Sequence, residues 1–244
     1  MEPVIELKNV SFTAQNNEII HDVSYKFNPG KTFALVGPSG GGKSTVLKLA
    51  AGLLVPTRGE VYFKGRNLFS MNRFQNLEFR QESAVVFQDS ALWANQNLYQ
   101  ILELPLKIHF PDMKKKDRDT RIKEVLMEAG YKRDILIRPA MLSMGEQKLI
   151  AFARAMLCRP RILFLDEWTE SLDDDAAQRL IRIVKRHKEE EATIILISHD
   201  FRIIKTLADI VVMISAGKID MELSGEQMAS DVDLARIVEK GMAS

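Results

Sequence analysis

The sequence predicts an α/β fold built on a parallel sheet, for three reasons. Short apolar or β-branched runs alternate along the chain with longer stretches of helical periodicity. These runs are apolar throughout, as expected for the strands of a sheet that is covered on both faces. A glycine-rich stretch, GPSGGGKST at 37–45, stands directly between one such run and a helical pattern. Together these observations predict a layered fold with right-handed helical crossovers between its strands.

The individual segments follow from this alternation, apart from two regions. Residues 4–28 contain alternating strand patterns, which predict a small antiparallel sheet, and residues 89–158 contain no convincing strand, which predicts a mostly helical insertion. The predicted strands are 32–36, 84–87, 162–165, 193–197 and 210–214. The predicted helices are 44–51, 120–129, 144–157, 174–188 and 202–208.

Length and composition limit the classes of protein to consider. A chain of 244 residues with 46% hydrophobic side chains is ample for one large domain, or a core with a subdomain. Its 34 basic residues against 33 acidic ones give a charge of +1, so no nucleic acid partner is predicted. The single cysteine, Cys158, excludes an internal disulfide and fits a reducing cytoplasm. The start, MEPVIELKNV, lacks the zones of a signal peptide, and no apolar run approaches the ~20 residues of a membrane span.

The glycine-rich stretch matches the phosphate-binding loop G-x-x-x-x-G-K-[ST]. Glycines let backbone N–H groups approach a phosphate, and the following helix adds its positive N-terminal end. We expect Lys43 to reach the β- and γ-phosphates and the Ser44 hydroxyl to bind Mg²⁺. A glycine-rich turn with a chance GKS would not account for the strand before it and the helix after it. The predicted nucleotide-binding residues are Gly37, Pro38, Ser39, Gly40, Gly41, Gly42, Lys43, Ser44 and Thr45.

Polar side chains at the ends of three predicted strands are candidates for the chemistry. In RILFLDEW, Asp166 is placed to bind Mg²⁺ and Glu167 to polarise a water in line with the γ-phosphate; the alternative is an acidic helix N-cap. His199 ends IILISHD and would donate to a γ-phosphate oxygen, although such a histidine also occurs as a satisfied surface group. Gln88 ends AVVFQDS, and its amide oxygen would bind Mg²⁺ or the attacking water.

The stretch LSMGEQKLIAFARAM discriminates best among proteins with a phosphate loop. Ser143 is placed as a helix N-cap, and Glu146, three residues on, completes a capping box. An ordinary capped helix explains this pattern, but it does not explain why the pattern lies between a phosphate loop and FLDE. Kinases do not need such a helix, and the N-K-x-D motif of GTPases is absent.

In this order, the motifs resemble the nucleotide-binding subunit of ABC transporters, over essentially the whole chain: the phosphate loop, Gln88, the signature LSMGE (142–146), ILFLDE, ESLD and His199. The resemblance implies a RecA-like three-layer P-loop core, a small antiparallel β subdomain and a helical subdomain. It divides the chain into 1–88 with 159–221 as the ATP-binding core, 89–158 as the helical subdomain and 222–244 as a short tail.

The same resemblance implies a head-to-tail homodimer that hydrolyses ATP with Mg²⁺. Ser143 and Gly145 would contact the γ-phosphate bound by the other copy, and Asp173 would sit at the dimer seam. The helical region near Trp93 would receive transmembrane permease subunits encoded separately, at the cytoplasmic face of the inner membrane. The implied cargo is lipid, lipoprotein or amino acid. Alternatives are an ABC ATPase that drives a cell-division or signalling complex, and a soluble repair or translation ATPase, whose coiled coil or second cassette is missing.

Four positions depart from the family pattern. Met144 replaces a glycine of the signature, and Glu146 replaces a glutamine, which should weaken the contact with a phosphate unless a cation offsets its charge. Trp168 stands where a proline is usual, so the exit angle of the following loop is expected to change. The family usually has an aromatic residue that stacks on adenine at the end of the first β segment, where this chain has Ala14. Phe12, two positions earlier on the same strand face, could take that place, but we expect it in the core.

Overall fold

The computed structural model describes residues 2–230, which form two sheets and the helices that cover them. The strands are β1 (Ile5–Ala14), β2 (Asn17–Phe27), β3 (Thr32–Val36), β4 (Arg58–Phe63), β5 (Arg66–Asn67), β6 (Ser83–Val86), β7 (Ile162–Asp166), β8 (Thr193–Ile197), β9 (Ile210–Ser215) and β10 (Lys218–Ser224). The helices are α1 (Lys43–Ala50), α2 (Arg73–Glu82), α3 (Leu98–His109), α4 (Lys115–Ala129), α5 (Met144–Met156), α6 (Asp174–Glu189), α7 (Phe201–Leu207) and α8 (Gly225–Ser230).

The larger sheet has six strands in the order β10-β9-β3-β8-β7-β6. Its neighbours from β9 to β6 pair in parallel, and β10 is added antiparallel at one edge. Every residue of β3, β7 and β8 is buried, as the uniformly apolar runs predicted. This order places the carboxyl ends of β3, β7 and β8 side by side at one edge, where the predicted site residues follow them.

Alternate side chains of the sheet enter two separate hydrophobic clusters. In β3, Phe33 and Leu35 pack with α1, Phe79 of α2 and the small sheet, whereas Ala34 and Val36 face the opposite cluster. That opposite cluster is built from apolar side chains of α3, α4, α5, α6 and α7. The result is a three-layer α/β fold, with the larger sheet as the middle layer, as expected.

The smaller sheet has four strands in the order β2-β1-β4-β5. Residues 4–28 supply β1 and β2, which pair antiparallel from Ile5↔Phe27, so the antiparallel sheet predicted there is confirmed. Its other half, β4 and β5, was not predicted, because RGEVYF begins with exposed, mostly charged positions and shows no apolar run.

The region between β6 and β7 contains helices and no strand within the described part of the chain, as predicted for 89–158. The helix predicted for 120–129 begins earlier, at Lys115. The division into a core and a helical subdomain is our proposal. The tail proposed at 222–244 begins within β10, which ends at Ser224, and most of that tail lies outside the described residues. No helix among residues 2–230 is both long and apolar enough to cross a membrane.

Candidate functional site

The phosphate loop joins β3 to α1 and can only be built with glycine at its first position. Gly37 has φ 137°, and a Cβ there would lie 2.0 Å from the Ile214 carbonyl oxygen. Gly42, at φ 104°, caps the start of α1 in the left-handed region. Ser39 and Gly40 are exposed at the tip of the loop. The remaining loop residues, Pro38, Gly41, Ser44 and Thr45, lie at intermediate or buried positions on the way into α1.

Lys43 is folded back over this loop. Its Nζ donates to the carbonyl oxygens of Gly37 and Pro38 at 2.8 and 2.7 Å. Burial lowers the pKa of the Lys43 ammonium, and the charges of Glu167 and Asp166 oppose that change. The ammonium is thus held over the loop, within reach of the charges of Asp166, which ends β7, and Glu167, which follows it.

The Ser44 hydroxyl and the Asp166 carboxylate form the candidate metal site. Ser44 Oγ donates to Asp166 Oδ1 at 3.2 Å, which joins the first turn of α1 to the end of β7. Asp166 is 3% exposed, and burial raises its pKa against the opposing hydrogen bond from Ser44. A hydroxyl and a carboxylate oxygen are the hard ligands that Mg²⁺ prefers, so this pair fits the metal.

Glu167 and His199 meet where β7 and β8 end. His199 Nε2 lies 3.2 Å from Glu167 Oε1, and the backbone N–H of His199 donates to Glu167 Oε2 at 3.4 Å. Glu167 has φ 45°, so the chain turns sharply after the strand. Burial raises the pKa of Glu167, with Asp166 and Glu170 adding to the rise and His199 opposing it. A buried carboxylate with a raised pKa is a stronger base than an exposed one.

Gln88 lies just beyond β6 and is exposed. Its Nε2 donates to Glu170 Oε2 at 3.2 Å, so the amide is engaged with the loop that follows β7. The assignment of Gln88 to the metal or the attacking water stays a prediction.

The signature forms the capping box that the sequence predicted. Glu146 N donates to Ser143 Oγ at 3.2 Å, and Ser143 N donates to Glu146 Oε2 at 2.9 Å. A Cβ at Gly145 would lie 2.9 Å from the Ser171 carbonyl oxygen, whereas Met144 is 72% exposed. The side chain at 144 therefore fits in solvent, while glycine is needed at 145.

A cation offsets the negative charge of the signature. Arg133 Nη1 donates to both carboxylate oxygens of Glu146 at 3.0 Å. The Ser143 backbone N–H and Arg133 lower the pKa of Glu146. Arg133 was not predicted, because it lies 13 residues from Glu146 along the chain, in a region without periodic pattern.

The other departures from the family pattern are Trp168 and the pair Phe12 and Ala14 in β1. Trp168 is fully buried and stacks on Phe152 of α5, with ring centroids 5.8 Å apart. Phe12 is partly buried and packs against the hydrophobic cluster that contains α1, so it lies at the margin of the core that the sequence predicted for it. Ala14 ends β1.

Lys148 was also missed. It is 3% exposed, and its Nζ donates to the carbonyl oxygens of Phe87, Gln88 and Glu167 at 3.3, 2.5 and 3.3 Å. A lysine near the start of an amphipathic helix is usually assigned to the solvent face, so no sequence signal identifies this contact.

A phosphate loop, a hydroxyl–carboxylate pair and a carboxylate–histidine pair at one sheet edge are typical of P-loop nucleotide hydrolases. A protein-family model described as ABC transporter matches residues 20–170. Methionine import ATP-binding protein MetN of Clostridium acetobutylicum is 32% identical over 217 residues, 88% of this chain and 67% of that protein. Nickel import ATP-binding protein NikE of Escherichia coli K12 is 31% identical over 233 residues, 93% of this chain and 87% of that protein.

Solved structures agree with this assignment. A dimeric ATP-binding cassette in a post-hydrolysis state, bound to ADP and Pi, superposes with a TM-score of 0.83 at 27% identity, covering 90% of this chain and 98% of that one. The cbiO1 subunit from Clostridium perfringens has the same fold, with a TM-score of 0.75 at 20% identity, 100% coverage of this chain and 97% of that one. The chain belongs to the ABC transporter family. It is an ATP-binding subunit and an ATPase with the P-loop α/β fold of these cassettes.

Proposed function

We propose that this chain dimerises around two ATP molecules and powers a separately encoded membrane transporter. The observation that carries the proposal is the contact between Glu167 and His199 beside the Ser44–Asp166 pair. In this arrangement Glu167 would serve as a base, His199 as a donor and the Ser44–Asp166 pair as metal ligands, all at the edge of the sheet where a triphosphate on the loop would end.

The triphosphate would be bound by the loop and by Lys43. The ammonium would exchange the carbonyls of Gly37 and Pro38 for β- and γ-phosphate oxygens, which are stronger partners because they are charged. Ser44 and Asp166 would hold Mg²⁺, with Gln88 as a further ligand. When bound, Mg²⁺ neutralises phosphate charge in the transition state.

Hydrolysis would use Glu167 as the general base. Glu167 would accept a proton from a water as the water oxygen attacks the γ-phosphorus, and the bond to the β–γ bridging oxygen would break to release ADP. His199 would hold the carboxylate in place through the 3.2 Å contact and donate to a γ-phosphate oxygen. The raised pKa of Glu167 suits this role, since a stronger base accepts the proton more readily.

Dimerisation would complete the site. Ser143 is exposed at the N-terminus of α5, an end that favours a negative ligand, and Gly145 is the second residue of that helix. Both would contact the γ-phosphate held by the other copy. Asp173 caps α6 through Ala176 N at 2.7 Å and would lie at the seam. The dimeric cassette with ADP and Pi, 27% identical to this chain, supports such an arrangement.

The membrane partner would dock near Trp93. This side chain is 45% exposed and lies beside Arg154, whose guanidinium carbon is 5.7 Å from the ring centroid. An open groove of about 400 Å³ adjoins it, with walls from both the core and the helical region. The relatives named for methionine and nickel import support import of a small solute, and methionine falls within the amino-acid class expected from the sequence. The chain would then lie at the cytoplasmic face of the membrane.

The test is co-expression of the tagged chain with candidate permease subunits, followed by reconstitution into vesicles. We expect the pair to co-purify and to accumulate solute in an ATP-dependent manner, and the Glu167→Gln variant to co-purify without transport. A complex that hydrolyses ATP and moves no solute would instead favour the cell-division or signalling alternative. An isolated chain that binds no ATP would refute the proposal.

A further inference from the structure

The amino group of Lys148 fastens α5 to two separate strand ends. One pair of its acceptors, the Phe87 and Gln88 carbonyls, follows β6, and the third, the Glu167 carbonyl, follows β7. These loops carry Gln88 and Glu167, the two side chains that the proposed mechanism assigns to Mg²⁺ binding and to water activation. One buried ammonium therefore joins both of them to the helix that carries the signature.

This contact differs from ordinary packing of a helix on a sheet. Burying a lysine ammonium is costly, and burial lowers the pKa of Lys148, while nearby carboxylates oppose that change. Those carboxylates belong to Glu170, Asp89, Asp166 and Glu167. An apolar side chain would pack against the sheet without that cost, but it would leave three carbonyls without this donor.

A second contact lies on the same face of α5, one turn further along. Phe152, four residues after Lys148, stacks on Trp168, which directly follows Glu167. The turn at Glu167 is thus attached to α5 by a polar and an apolar contact. Movement of the signature relative to this turn would have to break both.

We propose that Lys148 is a positioning residue that couples the two halves of the nucleotide site within one chain. This inference rests on the proposed dimer. When Gln88 and Glu167 engage the chain's own ATP, Lys148 orients α5 so that Ser143 and Gly145 meet the ATP of the other copy. Without the Lys148 amino group, ATP still binds to the phosphate loop, but its binding no longer promotes closure of the dimer.

The experiment compares Lys148→Met, Lys148→Gln and a control, Arg121→Met. Arg121 donates to the Leu157 and Met156 carbonyls at 3.1 and 2.7 Å, at the other end of the same helix and away from the phosphate loop. Each variant is made alone and in the Glu167→Gln background. The measurements are the Kd of a fluorescent ATP analogue, kcat and KM for ATP, the ATP-dependent dimer fraction by sedimentation, and Tm.

For Lys148→Met we expect a Kd within about threefold of the parent and a kcat at least about tenfold lower. In the Glu167→Gln background, Lys148→Met should abolish the ATP-dependent dimer. Lys148→Gln keeps a hydrogen-bond donor without the charge, so its kcat and its ATP-dependent dimer fraction should lie between those of the parent and of Lys148→Met. Arg121→Met should lower Tm to a similar degree and leave kcat within about twofold, because it does not touch the site.

The inference is overturned if Lys148→Met still dimerises with ATP in the Glu167→Gln background, or if its kcat falls no more than that of Arg121→Met. Should Lys148→Met fail to fold, Lys148→Gln decides: an ATP-dependent dimer fraction equal to that of the parent, or a kcat no lower than that of Arg121→Met, would overturn the inference. Failure of the parent Glu167→Gln protein to dimerise with ATP, even with its membrane partner, would refute the proposed function itself, which is a separate outcome.

Discussion

The phosphate loop and the signature are both helix N-termini suited to an anion, but their surroundings differ. At the phosphate loop, Lys43 and Asp166 are buried and already hydrogen-bonded within the chain. At the signature, Ser143 is exposed and Met144 is 72% exposed. One half of the proposed site is complete within a single chain, and the other is a surface. Substitutions in the first half should therefore affect nucleotide affinity, and those in the second half should affect association.

The largest effect is expected at the completed half. Lys43→Ala removes the ammonium over the loop and should weaken ATP binding by about a hundredfold or more, because charge-assisted hydrogen bonds to phosphate are lost. Titration with a fluorescent ATP analogue measures this change. Lys185→Ala, an exposed position on α6, serves as the control and should bind like the parent. Equal ATP affinity for Lys43→Ala and Lys185→Ala would show that the phosphate loop does not bind the nucleotide through Lys43.

Glu167→Gln separates chemistry from binding in the same half. With the general base lost, kcat for phosphate release should fall by at least about a hundredfold, while the Kd for ATP stays within a few-fold. Sedimentation with ATP should then detect a trapped dimer. Glu170→Gln, an exposed acid beside Gln88, should keep most of the activity. Turnover unchanged in Glu167→Gln would remove Glu167 from the mechanism.

Acidification should reveal the burial of Glu167. Its pKa is raised, chiefly by burial, so the base becomes protonated at a pH above the ordinary glutamate range. Since a general base must be ionised, kcat should fall about tenfold for each pH unit below that raised pKa. A profile of kcat against pH measures this decrease on the acid side. The decrease should be missing from the residual activity of Glu167→Gln. An acid limb at or below the usual glutamate range would contradict this reasoning.

The ion pair between Arg133 and Glu146 tests the role of the exposed half, the signature, in dimerisation. Arg133→Gln leaves the charge of Glu146 uncompensated and should weaken ATP-dependent dimerisation by about fivefold, with monomer affinity for ATP unchanged. Adding Glu146→Gln should restore most of the loss, and a double-mutant cycle measured by sedimentation quantifies the coupling. Additive effects of the two substitutions would show that the pair does not act together at the interface.

The smallest effect is expected for Trp168→Phe, at a position that lies between the two halves. The Trp168 Nε1 is buried without a hydrogen-bond partner, so Trp168→Phe should keep the stack on Phe152 and change the free energy of unfolding by about 1 kcal/mol or less. Trp168→Ala should cost about 3–5 kcal/mol through the cavity it leaves. Urea unfolding compares the two variants. A large loss for Trp168→Phe would mean that the indole has a role beyond packing.

Prediction from sequence succeeded where a segment has one environment along its length. The strands at 32–36 and 193–197 have the predicted bounds, because every residue in them is buried. The helix α2 was missed because RFQNLEFRQE is largely polar and buries only Phe79. In this segment the tertiary neighbours decide the structure, and the local pattern does not report them. The strand β10 was missed although Ile219, Met221 and Leu223 alternate with polar residues, which is the pattern of a half-buried strand.

The candidate site divides in the same way. Lys43, Ser44 and Asp166 follow from motifs, because the chemistry fixes residue type and spacing within a short stretch. Lys148 contacts the Phe87 carbonyl, 61 residues away along the chain, and such a contact depends on how the helices pack on the sheet. A single sequence carries no local mark of it.

The two tryptophans of this chain differ in environment: Trp93 is 45% exposed beside a guanidinium, and Trp168 is enclosed next to Phe152. Their emission should therefore separate, with Trp93 at longer wavelength and open to quenching by acrylamide, and Trp168 at shorter wavelength and shielded. Without any added label, the unmodified chain provides one optical signal for its outer surface and another for the interior behind Glu167.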